Sequence, residues 1–130
     1  NSGIYVQGRY KIQMLDSFGL VGAMNECGGI YSVTDTPINM AFPPLTWQTY
    51  DIYYTAGRYD DNQKVVKHPS VTVYHNGVKI HDNVQLPGGR NTTAAPLKAG
   101  AAPGPVFLQN HGCPVRYRNI WVVESAAEEK

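Results

Sequence analysis

Cysteine is scarce: Cys27 and Cys113 are the two in 130 residues. In an oxidised compartment they could pair, closing a loop worth about 4–5 kcal/mol in the chain-entropy model. The alternative is two unpaired, partly buried thiols, because a domain of this size buries a core without staples. Long hydrophobic runs are missing as well; nothing approaches the ~18 apolar residues of a membrane span. The opening Asn1-Ser2-Gly3-Ile4-Tyr5 lacks the charged and apolar regions of a signal peptide, and since it enters a strand-like run at once we read it as trimmed. Charge is sparse, at 16% of residues and a net +1 with scattered basic residues. That leaves no basic stripe for nucleic acid and no charge run for a membrane surface. No segment of useful length shows helical periodicity.

What is present is a strand-and-turn pattern. Tyr, Val, Ile and Thr are abundant, and Gly and Pro punctuate them at short intervals. Residues 3–7 and 10–15 alternate around Gly8-Arg9 and predict a hairpin, with Tyr10, Ile12 and Met14 on one face and Lys11 and Gln13 on the other. Residues 16–46 read as loop-rich, with a short strand at 29–32, and 47–55 make the clearest single strand. Residues 57–69 read as loop. Asn76-Gly77 between the runs 70–75 and 78–86 is the strongest hairpin signal, since both central residues of a type I′ turn need positive φ. Residues 87–104 read as a long surface loop. The runs 105–110 and 115–123 around His111-Gly112-Cys113-Pro114 predict a last hairpin, and 124–130 a polar tail. Seven or eight strands without helices favour one all-β antiparallel sandwich or jelly roll spanning residues 1–130.

The polar positions on these strands form a set. Tyr5 and Gln7 share a face, as do Lys11 and Gln13, Gln109 and His111, and Arg116 and Arg118. Amides, guanidinium groups and aromatic rings projecting from one sheet suit a sugar, whose hydroxyls need paired donors and acceptors and whose C–H face stacks on rings. A simply solvated sheet face would show the same residues. His111, at a strand end beside Gly112, is the most interesting acid–base candidate, with His68, His75 and His81 as the other imidazoles. Asp16, ending the second strand, is a candidate base or hydroxyl acceptor, although forming a turn is the commonest fate of Asp at such a place. No zinc-ligand spacing, EF-hand loop, nucleophile elbow or phosphate loop occurs. Asn91-Thr92-Thr93 is a weak glycosylation sequon.

Several strings resemble, in order, the 3-keto-disaccharide hydrolase family: residues 1–17, Cys27-Gly28-Gly29-Ile30-Tyr31, Trp47-Gln48-Thr49-Tyr50-Asp51-Ile52 and Asn76-Gly77-Val78. The most specific are Gly104-Pro105-Val106-Phe107-Leu108-Gln109-Asn110-His111-Gly112 and Val115-Arg116-Tyr117-Arg118-Asn119-Ile120-Trp121. The resemblance implies a concanavalin-like jelly roll, a bacterial protein exported to the periplasm or beyond, and action on glycosides oxidised to a ketone at C3. Proton abstraction at C2, elimination at C1 and hydration would follow. It makes His111, Asp16 and Arg118 the catalytic candidates, and Tyr5, Gln7, Lys11, Gln13, Trp47, Gln109 and Arg116 the carbohydrate-binding ones. No cofactor is implied, and a divalent metal stays open.

Two departures qualify the resemblance. Relatives usually carry Glu where this chain has Lys11, which puts activity in question and favours a non-catalytic carbohydrate-binding module. Relatives also carry further strands ahead of the Asn-Ser-Gly motif. Their absence from residues 1–130 suggests a fragment or shortened form, or a homo-oligomer or partner chain that completes the sheet, because an open edge invites pairing. A self-assembling structural subunit is the third reading.

Overall fold

The computed structural model describes residues 1–125, so the polar tail expected at 124–130 lies, from residue 126 on, outside the described residues. Eight strands follow in chain order: β1 (Ser2–Val6), β2 (Tyr10–Met14), β3 (Tyr50–Thr55), β4 (Arg58–Tyr59), β5 (Val65–Lys67), β6 (Ser70–His75), β7 (Val78–Gln85) and β8 (Phe107–Leu108). Two antiparallel sheets, β2-β1-β8 and β3-β6-β7, build an all-β sandwich, with β4-β5 as a small separate ribbon. No helix occurs among the described residues, so none is long and apolar enough to cross a membrane.

The first hairpin turns where Gln7 and Gly8 take φ of 53° and 65°, and Arg9 N donates to Val6 O at 3.0 Å. Strand alternation therefore ends at Val6, and Gln7 does not share the face of Tyr5. Its side chain accepts a hydrogen bond from Tyr54 Oη and donates to Ala102 O, tying sheet to loop. In the second hairpin Asn76 and Gly77 take φ of 52° and 82°, the geometry this pair was expected to supply.

Pairing Ile4 with Ile12 and Val6 with Tyr10 directs one face of β1–β2 inward. That face meets Val71, Val73, Ile80 and Leu86 of the second sheet and its flank, with Ile30 between. Three tyrosines carry hydroxyls out of this apolar layer to acceptors: Tyr10 to Pro87 O, Tyr50 to Gln13 O and Tyr54 to Gln7. Each satisfies a polar group that burial would otherwise strand.

Four strand expectations are corrected. The strand expected at 47–55 starts at Tyr50, because Gln48 and Thr49 are tied to the β6–β7 turn: Thr49 N donates to Asn76 Oδ1, and Gln48 Oε1 accepts from Asn76 Nδ2. The expected strand at 29–32 is reduced to bridges of Ile30 with Ile12 and with Thr34. Residues 57–69, expected as loop, hold the bulged β4–β5 ribbon. The final hairpin does not form: β8 is two residues long, and 115–123 has no ladder partner among the described residues. Val115, Ile120, Trp121, Val122 and Val123 consequently remain exposed.

Cys27 and Cys113 are free, the first buried and the second exposed. Cys27 Sγ lies 3.5 Å from Tyr50 Oη and 3.9 Å from His75 Nε2, and the His75 ring stacks on Tyr50 with centroids 4.6 Å apart. His75 Nε2 also meets Gln48 Oε1 at 3.1 Å, while its Nδ1 has no partner. Burial lowers the His75 pKa to about 4.

Two measurements check this packing. Ile30 is fully buried, and Ile30→Ala should cost about 2–5 kcal/mol in denaturant unfolding. For His75 the folded pKa is depressed, so the unfolded chain takes up the proton first as pH falls. The associated stability is present above about 6.5 and lost progressively toward pH 4, in total of order 3 kcal/mol. Melting curves across that window should show the loss, and His75→Leu should flatten it, leaving the smaller effect of His81, whose pKa burial also lowers.

Candidate functional site

The outward face of the β2-β1-β8 sheet follows from its register. Tyr5 pairs with Lys11 on one side and Phe107 on the other, and Gly3 pairs with Gln13. Gln109 continues the β8 side, its N–H donating to Gly3 O at 3.0 Å. Period two then places Tyr5, Lys11, Gln13, Phe107 and Gln109 on the face opposite the core. Gly3, lacking a side chain, leaves a slot between the two glutamines. The Lys11 chain lies in it, so that a Cβ on Gly3 would collide with Lys11 Cε.

This face is not open to water as a solvated strand face would be. Tyr5, Lys11 and Gln13 are 1%, 3% and 1% exposed. Loops cover them: Tyr31 N donates to Lys11 O, Gln13 Nε2 donates to Asn25 O at 3.1 Å, and Tyr5 Oη donates to Thr93 O at 3.1 Å. Phe107 packs edge-on against Tyr5 with centroids 5.8 Å apart. Asn25, Tyr31 and Thr93, with Met24, Ser32 and Asp35, line a groove of about 350 Å³ above the sheet.

The electrostatics of the face are unusual. Lys11 Nζ stands 5.1 Å from the Tyr31 ring centre and 3.4 Å from Asn1 Oδ1. The one salt bridge among the described residues joins Lys79 to Asp82, so no carboxylate neutralises Lys11. Burial lowers the Lys11 pKa, and burial together with Tyr31 raises that of Tyr5. Gln13 Oε1 and Gln109 Oε1 are buried acceptors without a partner. Such orphans are uncommon in folded proteins and are places where an ordered water or a ligand donor is accommodated.

The other candidates stand elsewhere. Asp16 is exposed past the end of β2, with no hydrogen-bond partner among the described residues. His111 is exposed two residues beyond Gln109, and Arg116 is exposed. The Arg118 guanidinium lies 3.9 Å from the Trp47 ring centre. The neighbouring Tyr117 Oη meets Ser2 Oγ and Met14 Sδ, on the side of the hairpin that carries Ile4 and Ile12. Arg118 and Trp47 thus form a cation–π pair. A wider depression of about 530 Å³ borders β7, but the ring of its His81 is committed to Gly28 O at 2.7 Å. Among the described residues no group of three His, Cys, Asp or Glu side chains could hold a metal ion.

Sequence reading missed Asn1, Asn25, Tyr31, Phe107 and Thr93. The strand signal at 29–32 could have placed Tyr31 beside Lys11, and the pairing of β8 with β1 could have placed Phe107. Asn25 and Thr93 arrive on loops that carry no local signal.

A family model described as a 3-keto-alpha-glucoside-1,2-lyase-like domain matches residues 1–123. The chain belongs to this family. A candidate glycosyl hydrolase from Parabacteroides distasonis ATCC 8503 is similar in structure, with a TM-score of 0.76 and 35% identity over 88% of this chain and 49% of that one. The 3-keto-alpha-glucoside-1,2-lyase-like chain thus spans about half the length of that protein. Nothing among curated proteins matches it. Family and neighbour together place the chain in a glycosyl-hydrolase-like domain family.

In this lyase-like domain the buried Lys11 charge has no counterion, so its depressed pKa weakens the fold at every pH below the folded value and the effect is relieved as pH rises through that value. Lys11→Met keeps the chain's bulk and removes the charge. It should melt at or above the wild-type temperature at pH 7, measured by thermal unfolding.

Proposed function

We propose that the face built by Lys11, Gln13 and Gln109 receives a glycoside oxidised to a ketone at C3, and that the chain cleaves it by elimination. The observation that carries this reading is the pair of buried, unpartnered glutamine oxygens flanking Lys11. Both are acceptors, and sugar hydroxyls are the donors they lack. The Tyr31 and Phe107 rings add apolar surface for a sugar's C–H face. The ketone acidifies the proton at C2; its removal leaves an enolate, the C1–O bond breaks as the electrons return, and water adds to C1 afterwards. His111, the exposed imidazole beyond Gln109, is the base of this scheme and passes the proton to the leaving oxygen. The exported, bacterial setting implied by the family resemblance goes with this reading.

A second reading is favoured by the absence of any carboxylate hydrogen-bonded to Lys11, Gln13 or Gln109 among the described residues. In it the same face binds carbohydrate without reaction.

Release of the leaving alcohol from a panel of 3-keto-glycosides separates the two. Wild type should release it, and His111→Ala should be slower by about 10²–10⁴-fold. Gln109→Leu should chiefly raise KM. Saturable binding without release, by chain shown to be folded, would overturn the enzymatic reading in favour of the binding one.

A further inference from the structure

We propose that Lys11 captures the ketone covalently, its ε-amine condensing with C3 of the bound sugar to form an imine. The inference rests on the 3-keto-glycoside reading and names the group that meets the carbonyl.

Three features of the Lys11 environment support it. Lys11 is 3% exposed and its amine has no acidic partner among the described residues, its one polar side-chain contact being Asn1 Oδ1 at 3.4 Å. Its chain is held in place, lying in the slot over Gly3 with Tyr31 at its tip. It is flanked by the two amide oxygens that would orient the sugar's hydroxyls. Desolvation favours the neutral, nucleophilic amine, which is how an otherwise inert lysine comes to attack carbonyls. A buried ammonium left to itself costs stability, and a ketone substrate gives that amine a reaction.

The step balances without a redox partner. The nitrogen lone pair attacks C3, the carbonyl oxygen takes up the two amine protons and leaves as water, and a C3=N bond replaces C3=O. Protonated, that iminium withdraws electrons from C2 more strongly than the ketone does. Loss of the C2 proton to His111 gives an enamine, whose electrons expel the C1 oxygen. That oxygen takes the proton from His111, and water then hydrolyses the conjugated iminium, restoring the Lys11 amine and leaving an unsaturated ketone.

The test incubates wild type with a methyl 3-keto-glucoside, with and without sodium cyanoborohydride, followed by intact-mass and peptide mapping and by methanol release. The expected result is one reduced adduct, of the sugar's mass less one oxygen, on Lys11 and not on the exposed Lys64, Lys67, Lys79 or Lys98. Lys11→Met, checked by its melting curve, should lose both adduct and release. Methanol release without a Lys11 adduct would overturn the imine while the elimination reading stands. An adduct on Lys11 without release would support the imine and overturn elimination. Neither adduct nor release would overturn both, and adducts spread evenly over all lysines would overturn selective capture.

Discussion

The register of the β1–β2 hairpin is the constraint on which the rest depends. Pairing Ile4 with Ile12 and Tyr5 with Lys11 divides one short ribbon into two surfaces of opposite character. One closes the core against Val71, Val73 and Ile80. The other holds Tyr5, Lys11 and Gln13 beneath loops from distant parts of the chain. A slip of one residue would exchange the two surfaces and leave a lysine facing isoleucines. The turn at Gln7 and Gly8 prevents that slip, since both residues are committed to positive φ and the turn closes on Val6.

Because core and candidate site are two sides of one strand pair, they are mechanically joined. Tyr50 Oη donates to Gln13 O, so a residue of the second sheet reaches through the apolar layer to the backbone under the site. Cys27 and His75 pack around that same tyrosine. Among the described residues the buried side-chain atoms without partners include His75 Nδ1 inside and Gln13 Oε1 and Gln109 Oε1 on the site face. Gln13 is tied through its Nε2 to Asn25 O, and Asn25 lines the groove.

The hairpins could be read from local chemistry. Asn76-Gly77 is a conformational statement needing no tertiary context, and the alternation in 10–14 shows on its face which residues share a side. Loop cover cannot be read this way. Lys11 and Gln13 look like outward polar positions until Asn25, Tyr31 and Thr93 arrive over them, and nothing in Tyr-Lys-Ile-Gln-Met announces that arrival. Gln7 illustrates the converse, since one positive φ removes it from a face that alternation assigned to it. Residues 115–118 alternate as a strand would and 120–123 form an apolar run, but a strand exists only where an edge accepts it, and Val115, Ile120, Trp121, Val122 and Val123 remain in solvent. The resemblance makes Arg118 a catalytic candidate and Trp47 a binding one, and the fold brings the two into contact with each other, which spacing alone does not announce. Family membership supplies the carbohydrate connection that residue chemistry alone left level with a solvated face.

The slot over Gly3 has an evolutionary consequence. Positions 3 and 11 share one volume: the side chain missing from the first is the space occupied by the second. A lineage that gained even a methyl at position 3 would have to shorten or redirect the chain at position 11, and one that shortened position 11 would open a void that position 3 could then fill. Exchange between a long cation and a shorter acid at position 11 therefore acts on packing as well as on charge.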